Sequence, residues 1–225
     1  MRTLIAGFGE IGESLRNVLH CYSPGILFDK TDSVTGTYEI MHVCFPYSKD
    51  FIKYVKKYQK KYKPKYTVIH STVPVGTSRK CKAIHSPVIG IHPNMGESLQ
   101  TFTKFLGGAQ ASEVANYFRR AGMKVHLEDT PEATELLKIQ STTLYALQIE
   151  FYKDMKKQCK KNKVDYNSWL LWLDNYNKGY EKLGYPEYKK PLLEPIMVKQ
   201  GGHCTLPNLE LLNTKFTKFL KEVTQ

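Results

Sequence analysis

The glycine spacing in AGFGEIG, directly after the apolar run TLI, constrains the fold most. G-x-G-x-x-G between an apolar strand and an amphipathic helix is typical of a dinucleotide-binding turn. The first glycine permits a tight turn, the second admits a pyrophosphate close to the backbone, and the third lets the helix pack on the strand. The helix N-terminus favours negative charge. The residues predicted to form this turn are Gly7, Phe8, Gly9, Glu10, Ile11 and Gly12.

A further cofactor contact is predicted at the end of the next apolar run, GILFDK. There the Asp29 carboxylate can accept hydrogen bonds from an adenosine ribose, which favours NAD over NADP, although the adjacent Lys30 weakens that preference. Ligands of parallel sheets bind beyond the carboxyl ends of the strands. We therefore expect CFPYS and HSTVPVGTS to face the cofactor as well, through Phe45, Pro46, Ser71 and Thr72.

The order of apolar and amphipathic segments predicts an α/β protein in two domains. Strands alternate with helices up to residue 129, which predicts an N-terminal Rossmann domain with a doubly wound, mostly parallel sheet. The predicted strands are TLIAGFG, GILFDK, IMHVCFP, YTVIHSTVP and SPVIGIHP, with a short one near KVHLED. A helical pattern of about 30 residues then opens an all-α domain over 130–225. Its predicted buried stripe is Leu137, Leu144, Leu147, Phe151, Met155 and Cys159.

Charge and cysteine usage limit the class of partner. Lys and Arg number 33 against 21 Asp and Glu, a net charge of +12, and much of the excess lies in the segment KYVKKYQKKYKPKY. This segment is either a phosphate-binding face or, as we favour, a solvated helix face, so no nucleic-acid partner is expected. The five cysteines have no zinc-site spacing, which favours a reducing compartment and no metal. We expect a cytoplasmic protein without a leader or a membrane span.

Three motifs, in this order, resemble the UDP-glucose/GDP-mannose dehydrogenase family of the 6-phosphogluconate dehydrogenase-like superfamily. HSTVPVGTS resembles its Ser-Thr-Val-Pro-Val-Gly-Thr loop, ATELLKIQSTTLYALQIEF its long central helix, and GGHC with a nearby proline the catalytic-cysteine loop of its N-acetylmannosamine branch, while VCFP is similar to its cofactor-side strand end. The resemblance implies an NAD-dependent oxidoreductase that forms a homodimer through the long helix. It also implies that the family's C-terminal nucleotide-sugar-binding domain is lacking.

The resemblance assigns roles to individual residues. Cys204 matches the nucleophile, Lys138 matches a lysine that assists catalysis, and Thr72 would position water or a hydroxyl. Thr142 stands where the family has an asparagine, and Asn94 where it has a glutamate. The substrate contacts implied are His92, Asn94, Glu97, Lys138 and His203.

The chemistry implied is oxidation of an alcohol on an anionic sugar-nucleotide or sugar-acid substrate. A Cys204 thiohemiacetal and thioester would allow two successive hydride transfers. Two alternatives remain. A single oxidation of the β-hydroxyacid type, or of the prephenate type suggested by HPNMG, keeps Lys138 or His92 and removes the role of Cys204. A dinucleotide-binding protein without turnover is the other.

Overall fold

The computed structural model describes residues 2–20, 25–28, 34–194 and 206–224, and the chain divides into two compact units, Met1–Gln140 and Ser141–Gln225. The strands are β1 Thr3–Ala6, β2 Gly25–Phe28, β3 Ile40–Val43, β4 Tyr66–Ile69, β5 Ile84–His85, β6 Lys104–Gly107 and β7 Val125–Glu128. The helices are α1 Glu10–Leu19, α2 Phe51–Tyr62, α3 Thr77–Lys80, α4 Met95–Thr101, α5 Ala111–Arg120, α6 Pro131–Lys161, α7 Tyr166–Lys182, α8 Leu206–Leu209 and α9 Lys215–Thr224, with a 3₁₀ turn at Pro186–Tyr188.

The strands form one seven-stranded sheet in the order β2-β1-β3-β4-β5-β6-β7. The first five are parallel, β6 is antiparallel to β5, and β7 is parallel to β6. Ala6 pairs with both Phe28 and Val43, so these strands end together at one edge, here called the carboxyl edge. Their starting edge is called the amino edge. Because β2 and β3 flank β1 on opposite sides, the chain order reverses at β1.

Helices cover both faces of the sheet. One apolar cluster joins β3 and β4 to α1, α4 and α5, with Leu15 and Phe118 fully buried. A second cluster, on the other face, is formed with α2 and includes Phe51 and Val55. Parallel strands covered on both faces are buried along their length, and all four residues of β1 are buried. The predicted doubly wound, mostly parallel α/β fold followed by a helical region is confirmed.

The sheet differs from the sequence prediction around β5. The predicted strand SPVIGIHP is wrong, because the strand is the dipeptide Ile84–His85 and residues 86–94 form a loop. Pro87 lacks a backbone N–H for the ladder, and the Ser86 and Pro87 carbonyls accept hydrogen bonds from Lys104 Nζ at 2.9 and 3.2 Å. The sequence prediction also missed β6.

The long helix is confirmed, since α6 spans 31 residues. Its predicted buried stripe is partly wrong. Leu137, Leu144 and Phe151 are 52%, 57% and 55% exposed, whereas Ile139 and Ala146 are fully buried. The helix therefore turns a face with small and polar residues inward and leaves large apolar side chains outside.

The second unit contains a small apolar cluster of Ala146, Leu209 and Leu220, and polar side chains fix its backbone at several points. Asp165 caps α7 by accepting a hydrogen bond from the Asn167 N–H at 3.0 Å. Asn177 binds both backbone groups of Lys190, and the Tyr166 hydroxyl donates to the Leu193 carbonyl. Among the helices so described, none is long and apolar enough to cross a bilayer.

Candidate functional site

The turn after β1 lies where the strand order reverses. Gly7 has φ 115°, and a Cβ there would lie 2.8 Å from the Phe45 backbone nitrogen. Only glycine permits this approach of β1 to the end of β3. Gly9 is the N-cap of α1 and a Cβ there would meet no atom within 4 Å, while Gly12 is buried in α1. The N-terminus of α1 is thus open to an anionic group.

The ends of β3 and β4 are joined by a predicted cofactor residue. Ser71 is buried, and its Oγ donates to the Phe45 carbonyl at 2.6 Å. The Phe45 ring packs on Phe51, and Pro46 is exposed beyond it. Thr72, the next residue after Ser71, is half-buried. The structure therefore brings Gly7, Phe45 and Ser71 together.

A buried carboxylate from α6 clamps the loop after β4. Glu135 is fully buried, and its two oxygens accept hydrogen bonds from the N–H groups of Gly76 at 2.6 Å and Ser78 at 2.7 Å. Burial raises the pKa of Glu135, and its hydrogen bonds with Ser78 and Gly76 act in the opposite direction. Because Gly76 has φ 88°, the loop takes a backbone path that favours glycine. The clamp holds the STVPVGT loop in that path.

A second buried contact joins α6 to β5. His85 Nε2 lies 3.2 Å from the Ser71 carbonyl and its Nδ1 lies 2.8 Å from Thr134 Oγ1. Burial lowers the pKa of His85 to about 3, so the ring is neutral at physiological pH. Since a carbonyl only accepts, Nε2 carries the proton and Nδ1 accepts from the Thr134 hydroxyl. The Ser71 carbonyl at the carboxyl edge is thereby fixed.

The predicted catalytic lysine lies on the same face of α6. Lys138 is half-buried and its Nζ donates to the Val88 carbonyl, in the loop after β5, at 2.8 Å. Lys138 lies three positions after Glu135, so the two side chains share a face of α6 and both reach the loops at the carboxyl edge. Thr142 follows one turn along α6 and is also half-buried.

The predicted substrate residues divide into two groups. His92 Nδ1 contacts the Glu10 carboxylate of the glycine turn, which joins the loop after β5 to the start of α1. Asn94 and Glu97 are exposed at the start of α4, and within the described residues neither side chain makes a hydrogen bond or ion pair. Two predicted residues of the glycine turn also have different surroundings: Phe8 is exposed, whereas Ile11 packs on the core.

A column of buried polar groups crosses the sheet behind these loops. His42 Nδ1 lies 3.0 Å from His70 Nε2, and Lys104 Nζ lies 3.1 Å from His70 Nδ1. Burial lowers the pKa of Lys104 to about 7 and that of His42 to about 3, and it holds the pKa of His70 well below its ordinary value. Through the Ser86 and Pro87 carbonyls, Lys104 anchors the base of the loop that carries His92.

Four predicted site residues lie outside the described residues: Asp29, Lys30, His203 and Cys204. The described cysteines are free thiols, Cys44, Cys81 and Cys159. Burial raises the pKa of Cys44 to about 12 and that of Cys81 to about 11, so neither is a thiolate at physiological pH. Within the described part of the chain, no three His, Cys, Asp or Glu side chains are grouped as metal ligands.

The sequence interpretation missed three residues that organise this site. Glu135, Thr134 and His85 are each buried, and each binds the backbone or side chain of a distant segment. The one local signal was the position of Glu135 one helical turn before Lys138. No signal in the sequence placed His85 beneath Ser71.

Comparison with known proteins finds solved structures of similar fold. No family model and no curated protein sequence matches the chain. The structure is similar to that of UDP-D-ManNAc dehydrogenase from Pyrococcus horikoshii, with a TM-score of 0.78 and 14% identity. The alignment covers the whole of this chain and 68% of that one.

Two further structures share the fold over nearly their full length. 3-Hydroxyisobutyrate dehydrogenase from Mycobacterium tuberculosis has a TM-score of 0.70 and 11% identity, with 98% of this chain and 91% of that chain covered. Psf3 in complex with NADP⁺ and 2-OPP has a TM-score of 0.59 and 13% identity, with 98% and 92% covered. At these identities the likeness shows the fold.

Proposed function

We propose that this protein is a nicotinamide-dinucleotide-dependent dehydrogenase that oxidises an alcohol on an anionic sugar-nucleotide or sugar-acid substrate. The observation that carries the proposal is the glycine turn. Gly7 lies against the end of β3 where the strand order reverses, and Gly9 is the N-cap of α1 with open space beside it. Ligands of doubly wound sheets bind in that crevice. Structures with this fold include dehydrogenases of UDP-D-ManNAc and of 3-hydroxyisobutyrate.

The residues of the turn fit a dinucleotide. The backbone at Gly9 and the N-terminus of α1 would hold the pyrophosphate, and the loops at Phe45 and Ser71 would lie beside the nicotinamide half. Asp29 is our reason for proposing NAD rather than NADP. The bound dinucleotide supplies a hydride acceptor.

Lys138 is proposed to stabilise the negative charge that develops on the substrate oxygen. Its ammonium is held at the carboxyl edge by the Val88 carbonyl. A cation beside an alcohol oxygen stabilises the alkoxide as the proton leaves, which promotes loss of hydride from the carbon and formation of the aldehyde. Thr72, in the loop clamped by Glu135, is proposed to hydrogen-bond the same oxygen or an attacking water.

The second oxidation is assigned to Cys204 from the sequence motif. Its thiolate would add to the aldehyde carbon and give a thiohemiacetal, which loses a second hydride to become a thioester. Water then cleaves the C–S bond, releasing the carboxylic acid and the thiol. Two hydrides leave each substrate molecule, so two cofactor molecules are reduced.

The test is turnover by the purified full chain. NAD and NADP are each offered with UDP-N-acetylmannosamine, UDP-glucose, GDP-mannose, prephenate and small 3-hydroxyacids, and the absorbance of reduced nicotinamide is followed. We expect turnover with a sugar nucleotide and NAD, with two reduced cofactors per substrate. Micromolar NAD binding without turnover of any substrate would contradict the proposal and indicate a dinucleotide-binding protein without catalytic activity.

A single-step hydroxyacid dehydrogenase is the second candidate. It is supported by the structural likeness to 3-hydroxyisobutyrate dehydrogenase, with a TM-score of 0.70. The variant Cys204→Ala separates the two. If Cys204→Ala still transfers the first hydride but not the second, the two-step reaction is supported. If the variant keeps full activity, the single-step reaction is supported.

We also propose a homodimer through α6. Its exposed Leu137, Leu144 and Phe151 recur every seven residues, which is the spacing of a helix–helix seam. Light scattering after gel filtration should give twice the chain mass for the native protein and the monomer mass for Leu144→Lys. Leu183→Lys, at a leucine 70% exposed just after α7, is the control and should stay dimeric.

A further inference from the structure

The positive charge of the chain is concentrated in one acid-free stretch. From Phe51 to Gly96 there is no Asp or Glu, although the whole chain has 21. Ten cations lie in this stretch, against a net charge of +12 for the whole chain. They are Lys53, Lys56, Lys57, Lys60, Lys61, Lys63, Lys65, Arg79, Lys80 and Lys82.

Four of these lysines surround one depression in the surface. Lys56, Lys65, Lys80 and Lys82 line a concavity of about 350 Å³, and none of the other lining residues is acidic. Lys65 directly precedes β4 and Lys82 lies two residues before β5. The concavity, here called the amino-edge depression, is therefore at the edge of the sheet opposite the glycine turn.

The floor of the depression is fixed by hydrogen bonds. Gln59 Nε2 donates to Thr67 Oγ1 at 3.1 Å and to the Cys81 carbonyl at 2.8 Å, which ties α2 to β4 and to the end of α3. Cys81 is buried, so its neighbours Lys80 and Lys82 are directed outward. Lys82 has φ 50°, a conformation that costs a side-chain-bearing residue free energy. The lysines thus project from a rigid base.

We propose that the amino-edge depression binds a compact polyphosphate anion, such as the phosphate chain of a nucleoside triphosphate or inorganic polyphosphate. Lysine is a compact point charge suited to phosphate oxygens, and the volume lies within the range of about 300–1,000 Å³ of small-molecule sites. Mutual repulsion of the lysines is relieved when an anion is bound.

The surroundings favour a phosphate chain over a stacked base or an extended nucleic acid. Tyr62 and Tyr66 are 2% and 9% exposed, so their rings are unavailable for stacking. Glu39 and Glu113 act electrostatically on Lys65, so the positive potential of the depression is limited by these carboxylates on the side of Lys65. The lysines come from α2, from α3 and from the segments before β4 and β5, and they converge on one concavity, which suits a ligand a few phosphates long.

Titration calorimetry of the full chain with inorganic tripolyphosphate at low salt tests the proposal. The double variant Lys56→Ala/Lys80→Ala removes two lining lysines and should weaken binding about tenfold. Lys57→Ala/Lys60→Ala is the matched control, because it removes the same charge from α2 outside the lining, and it should bind as the native chain does. Equal weakening by both variants would attribute binding to net charge alone and overturn the proposal.

Two further measurements locate and define the ligand. Gly9→Val, which fills the space before α1, should leave tripolyphosphate binding unchanged; a loss would move the anion to the glycine turn and overturn the proposal. Orthophosphate should bind at least tenfold more weakly than tripolyphosphate. Tighter binding of a long oligonucleotide, weakened by both lysine variants, would indicate a nucleic-acid surface instead. None of these outcomes depends on dehydrogenase turnover, so this proposal and the proposed function can fail separately.

Discussion

The two edges of the sheet use polar side chains in opposite ways. At the carboxyl edge they are buried and matched to backbone groups, as Glu135 is to two N–H groups and Lys104 to two carbonyls. At the amino edge Lys56, Lys80 and Lys82 are exposed. The role of a polar side chain at the carboxyl edge therefore depends on its exact position, whereas its role at the amino edge depends on its charge.

This contrast has an energetic consequence. A buried polar group that loses its partner costs about 1–3 kcal/mol, whereas even an exposed ion pair contributes only about 0–1 kcal/mol. Changes at the carboxyl edge should therefore alter both stability and cofactor binding. Changes at the amino edge should alter ligand binding with little effect on the fold.

Gly7→Ala should give the largest effect. Its Cβ would lie 2.8 Å from Phe45 N at a φ of 115°, so we expect a loss of about 3 kcal/mol or more in the free energy of unfolding, together with loss of NAD binding. Urea unfolding and NAD titration measure both. Gly9→Ala is the matched control and should change stability by less than about 1 kcal/mol. If both variants were equally stable, the tight approach of β1 to β3 would be refuted.

Glu135→Gln should be the next most damaging change. The amide presents an NH₂ group to one of the two N–H donors, which leaves a buried donor without an acceptor and costs about 2–3 kcal/mol. Because the STVPVGT loop is then released, kcat should fall as well. Glu132→Gln, at the exposed ion pair with Arg79, should cost less than about 1 kcal/mol in the same urea titration. Equal losses in the two variants would contradict the clamp.

Local patterns predicted the regular part of this fold. The glycine turn, the apolar strands and α6 each carry a signal within a few residues of themselves, so they were predictable from the sequence. The strand KFLG has no such signal, because it begins with Lys104, whose buried ammonium contacts distant partners, the Ser86 and Pro87 carbonyls and the Phe118 ring. The inward face of α6 was misjudged because Thr134 and Glu135 are buried by polar partners rather than by apolar packing.

The site was predictable as a set of loops but not as a set of contacts. The order of strands β1, β3 and β4 places Gly7, Phe45 and Ser71 at one edge once a parallel sheet is assumed. The Glu135 clamp joins residues 59 and 57 positions apart, and its partners are backbone groups, which carry no residue preference. The sequence therefore predicts which loops lie together at the edge of the sheet, but not which side chain forms the hydrogen bonds that fix them.

The buried polar column should make stability depend on pH. Burial lowers the pKa of His42 from 6.5 to about 3 and that of Lys104 from 10.5 to about 7. In both windows the unfolded chain binds more protons, so the free energy of unfolding rises with pH from 3 to 6.5 and from 7 to 10.5.

Lys104→Met tests the upper of these windows. Because methionine does not titrate, the increase in stability between pH 7 and 10.5 should largely disappear, as measured by urea unfolding at a series of pH values. The lower window should remain. Lys124→Met, at an exposed lysine before β7, should keep the native slope in both windows. An unchanged upper slope in Lys104→Met would show that Lys104 is not the titrating group.

The smallest effect is expected at the amino edge. Lys56→Ala/Lys80→Ala should change the free energy of unfolding by no more than about 0.5 kcal/mol, and in the stabilising direction, because it reduces repulsion among exposed like charges. Salt screens that repulsion, so the melting temperature of the native chain should rise with ionic strength more than that of the variant. A loss above about 1 kcal/mol would mean that these lysines support the fold, and the contrast between the two edges would then be lost.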